Sequence, residues 1–431
     1  MRRRLNFILG FNLLVMAGSC QKTPIEQPKQ PVVPTFSTNL EIVWDALFHS
    51  DGEGDYYWDK VFAGQYVILA NRYDDEDKPR GIGVYHKLTG ERHPAWKNDP
   101  GGIFAPGEFE SLKSCMAAGK NKDIILIYSG HDLFAYGLHS GQRMWKLSIP
   151  NTGQVKISAE GDNAFIIHGI WKSWSRLAMV DVYSGKKTDI LELYAEDNYQ
   201  FEINPPSAYV TNEGDTLLYF TTDAYNFETN HSRGYAYCYN LTKKQMLWVN
   251  KELTITSDMA ASASNPPPFV IENDKLIITT RKAIGCFNKN TGELLWQREG
   301  LSFAGMQPLY RDGRLYIRYG NPCFLLCLDA QSGQQIWNNT SVDVLPRPDG
   351  AMDIYKDRLY MSAWGPDETG DLVCVDIHTG NILWTDGSSY GNISFGVLID
   401  QETGYLYCNT FWATLCVDLN KTPNGKRNKV K

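Results

Sequence analysis

CFNKNTGELLW, residues 286–296, recurs as CYNLTKKQMLW from Cys238, CLDAQSGQQIW from Cys327, CVDIHTGNILW from Cys374 and AYGLHSGQRMW from Ala135. In each copy an apolar run leads into a polar turn, usually Thr-Gly or Ser-Gly, and a second apolar run closes on tryptophan. That pattern is a β-hairpin whose glycine supplies the positive φ of the turn. Degenerate copies follow the same plan: VYHKLTGERHPAW from Val84, MVDVYSGKKTDI from Met179 and CVDLNKT from Cys416. The first positions fall at 84, 135, 179, 238, 286, 327, 374 and 416. Strand-and-turn periods of about 40–50 residues predict a β-propeller.

Upstream of each copy are two further strand signals. They are clearest in PLYRDGRLYIRYG, Pro308 to Gly320, where Asp312-Gly313 joins two alternating runs. Each repeat therefore supplies about four strands, here A to D from the axis outward. The last copy runs into KTPNGKRNKVK, too polar and proline-broken for an outer strand. NLEIVWDALF, Asn39 to Phe48, reads as a strand D with no strand C before it. The two halves complete one blade and close the ring, which removes exposed sheet edges. The expected fold is all-β, an eight-bladed propeller of four-stranded antiparallel blades. A seven-bladed ring with one irregular module in the long interval between 179 and 238 is the competing count.

The phrase A/C-x-D-x-x-T/S-G-x-x-x-W resembles the repeat of pyrroloquinoline-quinone-type propellers. That group includes the eight-bladed quinoprotein dehydrogenases and a non-enzymatic outer-membrane barrel-assembly propeller lipoprotein. The resemblance covers nearly the whole chain after residue 38 and speaks to fold, since one fold hosts many functions.

The amino-terminal segment MRRRLNFILGFNLLVMAGSC has three arginines, an apolar stretch and small residues before Cys20. It resembles a bacterial lipoprotein signal, with Cys20 as the lipid attachment site. The expected organisation is 1–19 signal peptide, 20–38 a tether stiffened by Pro24, Pro28, Pro31 and Pro34, 39–420 propeller, and 421–431 a basic solvated tail. An outer-membrane lipoprotein, periplasmic or surface-exposed, follows from that reading. Loss of the signal arginines moves the formal charge from −7 to −10, which argues against nucleic acid as a partner.

Of nine cysteines, Cys238, Cys286, Cys327, Cys374 and Cys416 share one slot that Ala135 fills in another copy, so they read as small core residues. Trp44, Trp145, Trp248, Trp296, Trp337 and Trp384, with Trp96 two positions late, occupy the closing slot of strand D and are expected to pack between blades.

Trp58, Trp171, Trp174, Trp364 and Trp412 lie outside the repeat. All map to the face where the B–C and D–A connections open, and Tyr56, Tyr57, Tyr73, Tyr225 and Phe227 join them. Aromatics gathered on one face suit a protein partner or a sugar polymer. Asp74 and Asp75 belong to an acidic run, YDDED, near the acidic DGEGD stretch from Asp51. Neither run keeps calcium-loop spacing, and a solvated acidic rim is the expectation. The resemblance to quinoproteins implies a stacked quinone, a calcium ion and, commonly, a disulfide of adjacent cysteines. This chain has no adjacent cysteines, and its eight histidines show no metal spacing.

The expectation is a monomeric, non-catalytic docking scaffold at the cell envelope that needs no cofactor and no metal. The alternative is a glycan-binding accessory protein using Trp171, Trp174 and Trp364 with Asp74, Asp75, Asp367 and Glu368. A quinone-dependent dehydrogenase is the third reading.

Overall fold

A computed structural model describes residues 40–422, apart from 48–56, 72–80, 98–111, 150–154, 170–171, 197, 227, 230, 252–265, 273, 281–282, 300–306, 320–323, 340–350, 365–369, 388–393 and 411–412. The repeat hairpins of blades 2 to 7 form where the sequence places them. β1 (Ile42–Leu47) stands alone at the start of the described chain. Blade 1 follows as β2 (Tyr57–Ala63), β3 (Tyr66–Asn71) and β4 (Gly81–His86). Blade 2 is β5 (Leu112–Ala118), β6 (Ile124–Ser129), β7 (Asp132–Gly137) and β8 (Arg143–Ser148). Blade 3 is β9 (Val155–Glu160), β10 (Asn163–His168), β11 (Trp174–Asp181) and β12 (Lys187–Tyr194).

Blade 4 comprises β13 (Gln200–Ile203), β14 (Ser207–Val210), β15 (Thr216–Asn226), β16 (His231–Asn240) and β17 (Gln245–Asn250). Blade 5 is β18 (Phe269–Ile271), β19 (Lys275–Thr279), β20 (Ala283–Asn288) and β21 (Leu294–Glu299). Blade 6 is β22 (Leu309–Arg311), β23 (Arg314–Tyr319), β24 (Phe324–Asp329) and β25 (Gln335–Asn339). Blade 7 is β26 (Met352–Tyr355), β27 (Arg358–Trp364), β28 (Gly370–Asp376) and β29 (Ile382–Gly387). Blade 8 is β30 (Ser394–Asp400), β31 (Tyr405–Asn409) and β32 (Ala413–Asp418), completed by β1.

The described strands thus form eight antiparallel sheets, and the eight-blade count holds. The 179–238 interval contains a full blade with an extra strand. There strand A breaks at Pro205-Pro206 into β13 and β14, both paired with β15, because proline has no N–H to give the ladder. Blade 1 departs the other way, with three strands among the described residues. In place of strand D, Pro94–Trp96 makes a 3₁₀ turn capped by His93, whose ring nitrogen accepts from the Ala95 N–H at 3.2 Å. Proline is preorganised for a first helical position and unsuited to the strand ladder.

Ring closure follows the expected route: β1 pairs with β32, and Trp44 stands opposite Cys416. At the Asp312-Gly313 hairpin both turn residues have positive φ, 50° and 75°, as a two-residue hairpin turn requires.

Packing between blades is uniform. Eight buried apolar clusters each join one pair of neighbouring blades, and the one uniting Trp44, Tyr407 and Cys416 with Val67, Leu69 and Tyr85 bridges blades 8 and 1. The seven described cysteines are buried and form no disulfide. Those in the repeat slot lie opposite the closing tryptophan of strand D, so a small side chain is required there.

The tryptophans bind the blades together. Trp248 donates its indole N–H to the Lys289 carbonyl of blade 5 at 2.9 Å, and Trp44, Trp96, Trp145, Trp296 and Trp337 donate to the equivalent carbonyls of Lys87, Leu138, Val182, Ala330 and Ile377. Under five of these indoles lies the next blade's turn glycine. A Cβ on Gly292 would sit 2.5 Å from the Trp248 ring, and Gly90, Gly185, Gly333 and Gly380 meet Trp44, Trp145, Trp296 and Trp337 at 2.5–2.8 Å.

Candidate functional site: an aromatic cleft between blades 3 and 4

β15 and β16 have 11 and 10 residues, against 6 in most B and C strands. The extra length overhangs the neighbouring blade by roughly 10 Å at about 3.3 Å per residue. Strand alternation decides which side chains are affected. Phe220, Leu218 and Tyr239 face blade 3 and pack on Phe165, Ile167 and Leu177, whereas Leu217, Tyr219, Ala236 and Cys238 face blade 5. Continuing the blade 3 register past the end of that blade brings up Thr222, Ala224, Tyr237, Tyr235 and Arg233. Beyond the packed core of blade 3 they wall a cleft of about 250 Å³ together with Tyr194 at the end of β12 and with Glu196, Tyr199, Phe201, Val249 and Lys251.

The cleft has an apolar floor and a charged rim. Tyr199 and Phe201 are buried, and Phe220 stacks on Tyr237 at 4.9 Å with the rings 2° from parallel. Burial pushes the Tyr237 phenol up to about 12. Tyr194 is 70% exposed at the lip. Its hydroxyl donates to Glu192, which also accepts from Arg176. The Arg233 guanidinium lies 4.5 Å from the centre of the Tyr199 ring, and the Lys251 ammonium 5.0 Å from that of Tyr235. Lys251 also bridges Glu196 at 2.6 Å; that hydrogen bond first, and then its charge, holds the Glu196 carboxyl below its ordinary range and raises Lys251.

The site residues expected from sequence distribute unevenly. Trp174 reaches this seam: it is the first residue of β11, opposite Tyr194, half-buried with Arg176 over its ring at 5.9 Å. It belongs to a strand and leans on Gly169, so it is not a free loop aromatic. Tyr225 is in the same blade, but alternation turns it from the cleft and it is 7% exposed, which corrects its place among exposed contacts. Trp58 lies within β2 and Trp364 ends β27 opposite Gly370, on blades remote in the ring order from this seam. Tyr73, Asp74, Asp75, Trp171, Phe227, Trp412, Tyr56, Asp367, Glu368 and Cys20 lie outside the described residues.

The sequence reading missed Tyr194, Glu196, Tyr199, Phe201, Arg233, Tyr235, Tyr237 and Lys251. One signal was available: in RGYAYCYN, alternation begins well before the Cys238 slot, with Arg233, Tyr235 and Tyr237 on one face.

Among the described residues no group of three or more His, Cys, Asp or Glu side chains is placed to hold a metal ion. The chain also lacks the adjacent cysteines that commonly cover a quinone.

Fold and repeat define an eight-bladed propeller built on a pyrroloquinoline-quinone-like repeat. Residues 232–394 match the family described as outer membrane protein assembly factor BamB. The fold is similar to the crystal structure of BamB from Moraxella catarrhalis, with a TM-score of 0.58 at 11% identity over 88% of this chain and 99% of that one. It is likewise similar to the computationally designed Ika8 protein, with a TM-score of 0.59, 11% identity, and 88% and 99% of the two chains covered. A europium-containing methanol dehydrogenase matches with a TM-score of 0.58 at 12% identity over 86% of this chain and 84% of that one. These likenesses are of fold, shared by an assembly factor, a designed protein and an enzyme. No curated protein sequence matches the chain.

Proposed function

We propose that the protein is a non-catalytic docking scaffold of the bacterial cell envelope, held at the outer membrane by a lipid on Cys20. Its docking site is the cleft between blades 3 and 4, and its occupant is a protein. The observation that carries the reading is the state of the aromatic rings. Sugar rings bind by lying on open aromatic faces, but Arg233 and Lys251 already cover Tyr199 and Tyr235. Buried rings, a small apolar floor and a charged rim instead make the kind of pocket that anchors a protein interface. The match to an assembly-factor family over residues 232–394, which takes in five of the twelve lining residues, supports the same class.

A photo-crosslinking amino acid at position 194, used in cells, tests the reading. The expected result is one or a few discrete envelope proteins, captured by the wild-type cleft and lost when Tyr235→Ala and Phe201→Ala are combined. The reading is overturned if no cleft-dependent protein is captured while the same double variant abolishes retardation of the protein in a polysaccharide gel, since the glycan alternative would then hold the site.

A further inference from the structure

Resting on that docking reading, we infer that the blade 3–blade 4 cleft recognises an extended segment in which one large apolar side chain is followed or preceded by a carboxylate. Size sets the first half. A cavity of about 250 Å³ lies below the roughly 300–1,000 Å³ that holds a drug-sized ligand. It accepts one anchor side chain, which would rest on Phe201, Tyr199 and Tyr237.

Charge sets the second half. The lining contains two cations, Arg233 and Lys251, and one carboxylate, Glu196. Glu196 bonds Lys251 directly, and the positive charge of Arg233 lowers it further. Both partners of the Lys251–Glu196 bridge are more than half exposed. An exposed bridge of this kind contributes little to stability. Glu196 therefore acts as a replaceable partner of Lys251, and an incoming carboxylate that displaces it inherits that charge-assisted contact, within the positive field of Arg233, at small cost to the fold. The chain's net charge of −7 repels long acidic stretches. Recognition is accordingly confined to one or two carboxylates beside the anchor.

A random 12-residue peptide library displayed on phage, selected on the purified full chain, tests the assignment. The expected consensus places Asp or Glu within two positions of Phe, Leu, Met or Trp. Synthetic consensus peptide, followed by fluorescence anisotropy, should bind about tenfold more weakly when its acid is changed to the amide or when Arg233→Gln or Lys251→Gln is introduced. Glu196→Gln, which removes the resident competitor, should tighten binding severalfold. Thermal unfolding of each variant separates lost recognition from lost fold. A neutral or basic consensus that still requires Tyr235 overturns the charge assignment and leaves cleft docking standing. A consensus indifferent to Tyr235→Ala overturns both.

Discussion

Trp337 donates its indole N–H to the Ile377 carbonyl at 3.0 Å, and the corresponding Trp384, 1% exposed, has no acceptor for its own. The two residues hold the same slot in blades 6 and 7, but the blade that receives Trp384 ends differently. Where blades 1, 3, 5, 6 and 7 put glycine under the incoming indole, blade 8 has Thr422. Its hydroxyl donates to the Asp418 carbonyl and accepts from the Glu41 N–H at the start of the ring-closing strand.

The energetic consequence is a difference between two matched substitutions. Trp337→Phe removes a hydrogen bond and leaves a carbonyl unpaired, whereas Trp384→Phe removes a buried donor that has no partner. Trp337→Phe should cost about 1 kcal/mol more than Trp384→Phe. Denaturant midpoints of the two variants, with equal slopes, would measure it.

Lys244 provides a second matched comparison. It occupies the turn slot of blade 4 with φ 55°, the conformation glycine has at position 292 with φ 73°. Blade 3 brings no tryptophan to that seam, because Thr188 stands opposite Met179. The glycine elsewhere is thus required by close approach of the indole as well as by φ. Gly292→Ala should destabilise by at least ~2 kcal/mol through overpacking and strain. Lys244→Gly should change stability by less than about 1 kcal/mol, since relief of strain offsets added chain entropy.

His168 makes the propeller acid-sensitive. It is 5% exposed with neither ring nitrogen bonded, and burial first, then Lys187 and Arg176, lowers its pKa to about 4. A histidine lowered in the folded state is protonated more readily in the unfolded chain. Its stability contribution is therefore complete above the ordinary value of about 6.5 and is lost as pH falls from there towards 4, by about 3 kcal/mol in all. His93, lowered by burial and by His139, acts in the same direction. His168→Gln should flatten the fall of unfolding free energy between pH 6.5 and 4 relative to wild type.

The five repeat-slot thiols and Cys408 should be chemically silent. Burial pushes Cys238, Cys286, Cys327, Cys374, Cys408 and Cys416 up to about 12. At pH 8 roughly one in 10⁴ of such thiols is ionised, and the thiolate is the reactive form. Iodoacetamide should leave these six unmodified in native protein and alkylate all six in denaturant, as read peptide by peptide by mass spectrometry.

Much of the architecture is legible because it repeats. Each hairpin carries its own turn chemistry, and the Cys-to-Trp spacing sets the row in which a small residue faces a large one. The strand breaks at Pro94 and at Pro205-Pro206 were not read from the sequence, although the prolines stand in it. What they replace strand with, a 3₁₀ turn in one case and a second inner strand in the other, depends on what the neighbouring blade leaves room for.

The cleft was not legible in the same way. Its lining comes from four strands of blade 4, from the end of β12 in blade 3 and from the segment after it, and spacing does not mark these elements as partners. Surplus tryptophans drew attention to the right face of the ring but mostly to other blades. The sequence by itself determined the propeller repeat, the closing strand and the buried rows, since each is a local pattern of alternation and turns, while the structure settled eight blades over seven. Only the tertiary structure decided where the site lies. A sheet face becomes a cleft when its strands outrun those of the next blade, and that mismatch is a property of two repeats packed together.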